Sequence, residues 1–261
     1  MQDRAWDALT AELDAWAEAG RRASFWWRDD DATEPTLALD RLLELSAETG
    51  APVALAVVPA AMSRSLPARL AAAPAACAVQ HGYAHVDHAP KGAGAWELGP
   101  HRPAATVLAE LARGHEILSA AFAGRFLPVL VPPWTHIDAA LVPRLPEAGF
   151  RGLSDFGARR ERFPAPGLVQ INAHCDPIKW KGGARFTGAE RALDDVVRHL
   201  VRRRLGEADA EEPTGLLTHH LEMDAATWTF VAELLARVCA HPAAAWVHIG
   251  DLLTADAEAQ A

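Results

Sequence analysis

The chain has 261 residues, half of them apolar, which is enough to bury one large core. Its 34 acidic against 25 basic side chains leave a net charge of -9, which argues against nucleic acid or an anionic membrane surface as the main partner, because both select clustered positive charge. Three cysteines, Cys77, Cys175 and Cys239, form no CxxC, ribbon or paired spacing, so a disulfide framework and a structural zinc ribbon are excluded and reduced thiols are expected.

The chain starts Met-Gln-Asp-Arg-Ala-Trp-Asp, without the basic cap and unbroken apolar run of a signal peptide, and no stretch approaches about 18 uncharged apolar residues. The expectation is a cytoplasmic protein with no membrane partner. Trp6, Leu9, Leu13 and Trp16 recur at steps of three and four, predicting a first helix that ends near Gly20. Ser24 to Asp29 then reads as a short aromatic strand, Leu37 to Ala47 as a helix, and the valine-rich run Pro52 to Val58 as a strand buried on both faces.

The alternation continues to the end of the chain. Further strands are predicted at Ala76 to Gln80, Leu127 to Val131, Gly152 to Asp155, Leu168 to Ala173, Gly215 to Thr218 and Ala244 to Ile249. Helical spacing occupies Pro103 to Phe122, Ala139 to Glu147, Ala189 to Arg204 and Ala225 to Ala240, while Ala89 to Pro100 and Gly206 to Pro213 read as exposed loops. The basic run Arg202 to Arg204 closes a helix and complements its C-terminus rather than forming a phosphate patch. Strands alternating with helices predict parallel strands joined by crossovers, and about eight strands in this length favour a closed (β/α) barrel over an open sheet. A single domain over 1–261 is expected, with residues 1–22 supplying an N-terminal helix packed on the barrel.

Acids and histidines fall at the C-terminal ends of the predicted strands, which in a parallel barrel share one face. Asp29, Asp30 and Asp31 follow the first strand, His81 and His85 the third, His174 and Asp176 the sixth, His219 and His220 the seventh. Two histidines four apart can present both imidazoles to one cation, although the same spacing also suits a surface loop. Three adjacent carboxylates need a cation, Arg28 or solvent to offset their repulsion, so they read either as a metal or catalytic cluster or as a solvated turn. One carboxylate with two imidazoles leaves positions open for water or substrate. A histidine after the seventh strand can donate a proton near neutral pH or can simply be packed. Asp176 can orient such a histidine or cap the turn that starts at Pro177.

The ordered set Arg28-Asp-Asp-Asp31, His81-Gly-Tyr-Ala-His85, Pro132-Pro-Trp134, Asp176-Pro-Ile-Lys-Trp180 and Leu216-Leu-Thr-His-His220 resembles the five motifs of the polysaccharide deacetylases, the NodB-homology group of carbohydrate esterase family 4. It covers most of the chain. The resemblance implies a distorted (β/α) barrel of about seven to eight parallel strands and removal of an N-acyl, foremost N-acetyl, group from a sugar or related small substrate. It also implies one divalent metal ion, zinc foremost, with cobalt, nickel or manganese suited to the same donors.

Carried over by position, Asp30 is the catalytic base and Asp31 a metal ligand with His81 and His85, although Asp29 and Asp30 serve if the strand ends earlier. His219 corresponds to the general acid, Asp176 to the acidic residue that tunes it, and Pro133 and Trp134 to a segment shaping the substrate groove. Of nine tryptophans, Trp6, Trp16, Trp26, Trp228 and Trp246 sit at core spacing, while Trp134 and Trp180 lie beside motif residues as candidates for stacking on sugar faces. The sequence departs from the family's pattern at Val131, where an arginine pairing with the base is usual; His136 and Arg28 are the side chains available to replace it. Gly82 stands where serine or threonine is usual, and Ala32 where glycine is. With no export signal, a soluble small molecule or oligosaccharide is the expected partner rather than a wall polymer. An inactive carbohydrate-binding protein and a cyclic-amide hydrolase on the same scaffold are the competing readings.

Overall fold

The computed structural model describes residues 2–253. The elements in chain order are α1 (Gln2–Glu18), β1 (Ala23–Ala32), α2 (Leu37–Thr49), β2 (Val53–Val57), α3 (Leu66–Ala71), β3 (Ala76–His81), α4 (Ala104–Phe122) and β4 (Phe126–Val131). They continue with β5 (Gly152–Leu153), β6 (Val169–Gln170), β7 (Ile178–Lys179), β8 (Arg185–Phe186), α5 (Ala189–Leu205), β9 (Thr214–Thr218), α6 (Ala225–Ala240) and β10 (Ala244–Trp246). Strands β1 to β6 pair in order, all parallel, and β9 returns to pair with β1. The ring closes where the backbone N–H groups of His174 and Cys175 donate to the Gly215 carbonyl (2.7 and 3.0 Å) and Leu217 N–H donates to Cys175 (2.8 Å). This is a distorted (β/α) barrel, with β10 attached to the entry of β1.

Strand alternation sorts the side chains. Trp26, Ala54, Ala56, Cys77, Val79, Val129, Val131, Val169 and Ile171 form the inner core, with small residues on β2 and β3 making room for the indole. Phe25, Trp27, Val53, Leu55 and Ala78 face outward against α1, α2 and α6. Continuing the inward row two residues at a time leads from Trp26 to Arg28 and Asp30, and from Val79 to His81. Period two therefore delivers those polar groups to the C-terminal mouth of the barrel.

Several elements differ from the sequence expectation. The helix predicted over Ala139 to Glu147 is a 3-10 segment, Val142–Ala148, because Pro143 and Pro146 lack the N–H groups an α-helix needs. Strands β5 and β6 are two residues each, and α3 and the antiparallel pair β7–β8 carry too little periodicity to be predicted. The Arg202 to Arg204 run does close α5, but its side chains do more than face the helix end. Arg203 is buried and donates to Ser24 and Thr214, while Arg204 grips Glu12 of α1 at 2.8 and 2.9 Å. All three cysteines are free thiols. No helix among the described residues is long and apolar enough to cross a membrane.

Candidate active site

Strand β1 runs through all three aspartates to Ala32, and its register on β2 slips between Asp29 and Ala32. That bulge and the left-handed backbone of Asp31 (φ 68°) turn two consecutive carboxylates, Asp30 and Asp31, toward the same cavity. Asp29 faces the other way. Its carboxylate accepts from Thr218 Oγ1 (2.6 Å) and His220 N (3.0 Å) and pairs with His220 Nδ1 (2.5 Å), so this third acid ties the end of β1 to the end of β9. The geometry thus brings Asp30 and Asp31, and not Asp29, to the cavity wall. It also separates the paired histidines, since His219 lines the cavity and His220 is buried against Asp29.

The Asp31 Oδ1 atom lies 3.2 Å from His81 Nε2 and 3.3 Å from His85 Nε2. His81 comes from the last position of β3 and donates from Nδ1 to the Val131 carbonyl (3.0 Å), which turns Nε2 toward Asp31. His85 enters from the following turn and packs on Trp134, ring centroids 4.3 Å apart. Burial opposes the Asp31 charge, yet the bond and charge of His81, with His219 and His85, hold the carboxyl well below its ordinary range. Burial likewise opposes charge on His81, and the flanking Asp30 and Asp31 outweigh it and raise its pKa. His85 shifts down, through burial and the neighbouring His81.

These donors suit a divalent cation. Three ligand atoms converge, one ring is locked with its far nitrogen as donor, and side chains of Asp31 and His85 remain about a third and a quarter exposed (35% and 27%), which leaves the site open to a substrate. Asp30 beside them is held by Arg28, whose Nε sits 2.9 Å from Oδ1 and whose Nη2 donates to Oδ2 (3.2 Å). The other arm of the guanidinium donates to Ser154 Oγ (2.6 Å) and the Ser154 carbonyl (3.1 Å). Arg28 therefore brings Asp30 a guanidinium, which Val131 cannot. His136 is engaged elsewhere, since its ring stacks on Trp96 and bonds the Ala95 carbonyl.

Across the cavity, of about 870 Å³, stand His219, Asp176 and Trp180. Trp180 meets the His219 ring edge-on at 4.6 Å and donates from Nε1 to Asp176 Oδ2 (2.8 Å), while Ile178 N donates to Oδ1 (2.8 Å). Asp176 thus makes its hydrogen bonds to Ile178 and Trp180, and it meets His219 through charge alone. Burial raises the Asp176 carboxyl and His219 opposes that rise. Trp134 lines the wall, but Pro133 is buried behind it, packed on Gly82. Four of the five non-glycine residues with positive φ among the described residues, Asp31, His85, Trp134 and Thr135, line this one cavity. Such conformations cost about 1–3 kcal/mol each and concentrate where a site demands them. Sequence reasoning missed Phe156, Lys179 and Arg191 on the cavity wall and Glu97 behind it. Only the glycine at position 82, which makes room for the Glu97 carboxylate, hinted at any of them.

Solved structures that superpose on this barrel carry the fold of polysaccharide deacetylases and family 4 carbohydrate esterases. A polysaccharide-deacetylase candidate from Mycobacterium smegmatis superposes with a TM-score of 0.64 at 18% identity, covering 93% of each chain. A family 4 acetyl xylan esterase from Clostridium thermocellum, solved with cobalt, gives 0.55 at 12% identity over 90% of this chain and 92% of its own. The peptidoglycan deacetylase PdaC from Bacillus subtilis gives 0.54 at 13% identity over 92% and 95%. No family model matches the sequence, and no curated protein does. The chain has the fold of these enzymes, carried by a sequence far removed from theirs.

Proposed function

We propose that the chain is a divergent polysaccharide-deacetylase homologue, a metal-dependent hydrolase removing an N-acyl, foremost N-acetyl, group from a sugar or related small substrate. The observation that carries this reading is the meeting of Asp31, His81 and His85 beside Asp30, in a cavity whose opposite wall holds His219. A divalent cation bound by those three, zinc first, would supply Lewis acidity to the acyl carbonyl and the attacking water. Asp30 then takes the water's proton, its carboxylate kept in place by the Arg28 fork. His219 gives a proton to the leaving amine nitrogen, and Asp176 supplies the negative charge facing that ring. Trp134 and Trp180 offer aromatic faces to the apolar side of a sugar. A soluble mono- or oligosaccharide and a cytoplasmic setting belong to the same reading.

An inactive binding protein is the weaker alternative, because the guanidinium missing at Val131 is restored by Arg28. The test is acetate release from N-acetylated amino sugars of one to several units, with and without chelator, beside His219→Ala. Chelator-sensitive release, lowered about 10²- to 10⁴-fold in the variant, is expected. Release indifferent to both chelator and His219 overturns the mechanism, and hydrolysis of cyclic amides in place of acetylated sugars moves the assignment to that class.

A further inference from the structure

We infer that Glu97 is a positioning residue for the metal site, gripping the turn between the two histidine ligands and fixing the aim of His85; this rests on the metal reading just proposed. His81 needs no such help, because it belongs to β3 and is locked by the Val131 carbonyl. His85 lies beyond the end of the strand and adopts a left-handed backbone (φ 55°) that a histidine holds only when its surroundings enforce it.

Glu97 supplies the enforcement. Its side-chain Oε1 accepts hydrogen bonds from Tyr83 N (3.1 Å) and Ala84 N (2.7 Å), the two residues immediately before His85. The residue is 1% exposed, and bonds from backbone N–H groups to a buried carboxylate are the strong, charge-assisted kind. Its Oε2 lies 2.0 Å from where a Cβ at position 82 would stand, so Gly82 (φ 53°) and Glu97 occupy one space between them. The acid is in turn anchored. Its carbonyl accepts from Arg102 Nη2 (3.1 Å), Arg102 pairs with Glu110 of α4 (2.8 Å), and Leu98 accepts from Asp138 N beyond β4 (2.8 Å). A segment that reads as an exposed loop is thus a brace running from α4 to the second ligand.

The experiment is Co²⁺ titration of the full chain, following visible absorption, for wild type, Glu97→Ala, Glu97→Met and Glu97→Gln, with circular dichroism as the check on folding. The Ala and Met variants, which leave Tyr83 N and Ala84 N without an acceptor, are expected to bind Co²⁺ about 10- to 100-fold more weakly, with an altered ligand-field spectrum. The Gln variant keeps an acceptor oxygen and should stay close to wild type. Amide exchange at Tyr83 and Ala84 in the metal-free wild type, expected to be slow, tests the grip even where a variant fails to fold. Wild-type affinity and spectrum in Glu97→Ala, or fast exchange at both amides, overturns the inference alone. A wild type that takes up no Co²⁺ overturns the metal reading and this inference with it.

Discussion

Two imidazoles and a carboxylate meet twice among the described residues, once at the barrel mouth as Asp31, His81 and His85, and once in the interior as His174, His199 and Glu212. The compositions match, but the hydrogen bonds on the far ring nitrogens do not. At the mouth His81 Nδ1 donates to a carbonyl, so in the neutral ring Nε2 carries the lone pair a cation needs. In the interior Gly215 N–H donates to His174 Nδ1 (2.9 Å), which makes that nitrogen the acceptor and places the ring hydrogen on Nε2. Thr214 Oγ1 accepts from Arg203 Nη1 (3.0 Å) and lies 2.9 Å from His199 Nδ1, and the Glu212 carboxylate beside His199 Nε2 favours the ring hydrogen on Nε2 there too. Both Nε2–H groups face Glu212 at 3.5 and 3.6 Å. The rings there stack nearly parallel, 3.4 Å apart at 15°, whereas those at the mouth tilt by 42°. Proximity of donors therefore points to a metal centre only where the ring nitrogens are also free to give their lone pairs. The partner of the far nitrogen separates the two clusters, leaving a lone pair on His81 Nε2 at the mouth and a ring hydrogen on His174 Nε2 in the interior.

The largest expected effect separates the two clusters directly. Asp31→Asn or His81→Ala should abolish metal retention after dialysis and lower kcat/KM by several kcal/mol in barrier, on the order of 10³-fold or more. Glu212→Gln should leave the metal content and catalysis alone. Elemental analysis should find one ion per chain; two ions, one lost with Glu212→Gln, would show that the interior histidines bind metal after all.

Arg28 sharpens the comparison from the side of charge. It is fully buried and forks between Asp30 and Ser154, so Arg28→Met leaves Asp30 as a buried anion without its partner. A loss of about 3–5 kcal/mol in urea denaturation is expected, together with loss of turnover. An unchanged unfolding midpoint would mean that solvent, not Arg28, compensates the aspartates.

What could be read beforehand followed from periodicity. Inward rows on β1 and β3 are visible as alternation around Trp26 and Val79, so the arrival of Asp30 and His81 at one mouth was legible. Asp31 required the motif resemblance as well, because its aim comes from a bulge and a positive φ that a run of three identical aspartates does not signal. The brace by Glu97 and the anion at Glu212 were hidden in Ala89 to Pro100 and Gly206 to Pro213. Both stretches carry the glycine, proline and charge of exposed loops, yet residues 97–99 and 212–213 are buried by contacts made across the fold. Side-chain to backbone bonds between distant segments leave no local pattern.

The smallest effect concerns how the interior cluster answers to acid. Burial holds His199 down to about 4, reinforced by His174 and opposed by Glu212. Burial also lowers His174, with Glu212 opposing and Arg203 and Arg159 adding to the drop. Glu212 itself is brought down to about 2, its burial outweighed by His174, His199 and the Arg159 N–H. Below an ordinary histidine pKa of 6.5 the unfolded chain takes up protons that the folded rings refuse, so stability falls as pH drops from 6.5 toward 4. Each histidine contributes a slope of up to about 1.4 kcal/mol per pH unit. From 4.5 toward 2 the retained charge of Glu212 adds a loss of the same sign, and above 6.5 the cluster contributes no slope. Urea midpoints measured from pH 8 to pH 4 should therefore decline below 6.5 in the wild type and decline less steeply in His199→Gln, whose amide does not titrate. Parallel profiles for the two proteins would mean that the interior rings accept protons in the folded state, and the contrast between the two clusters would then lose its electrostatic half.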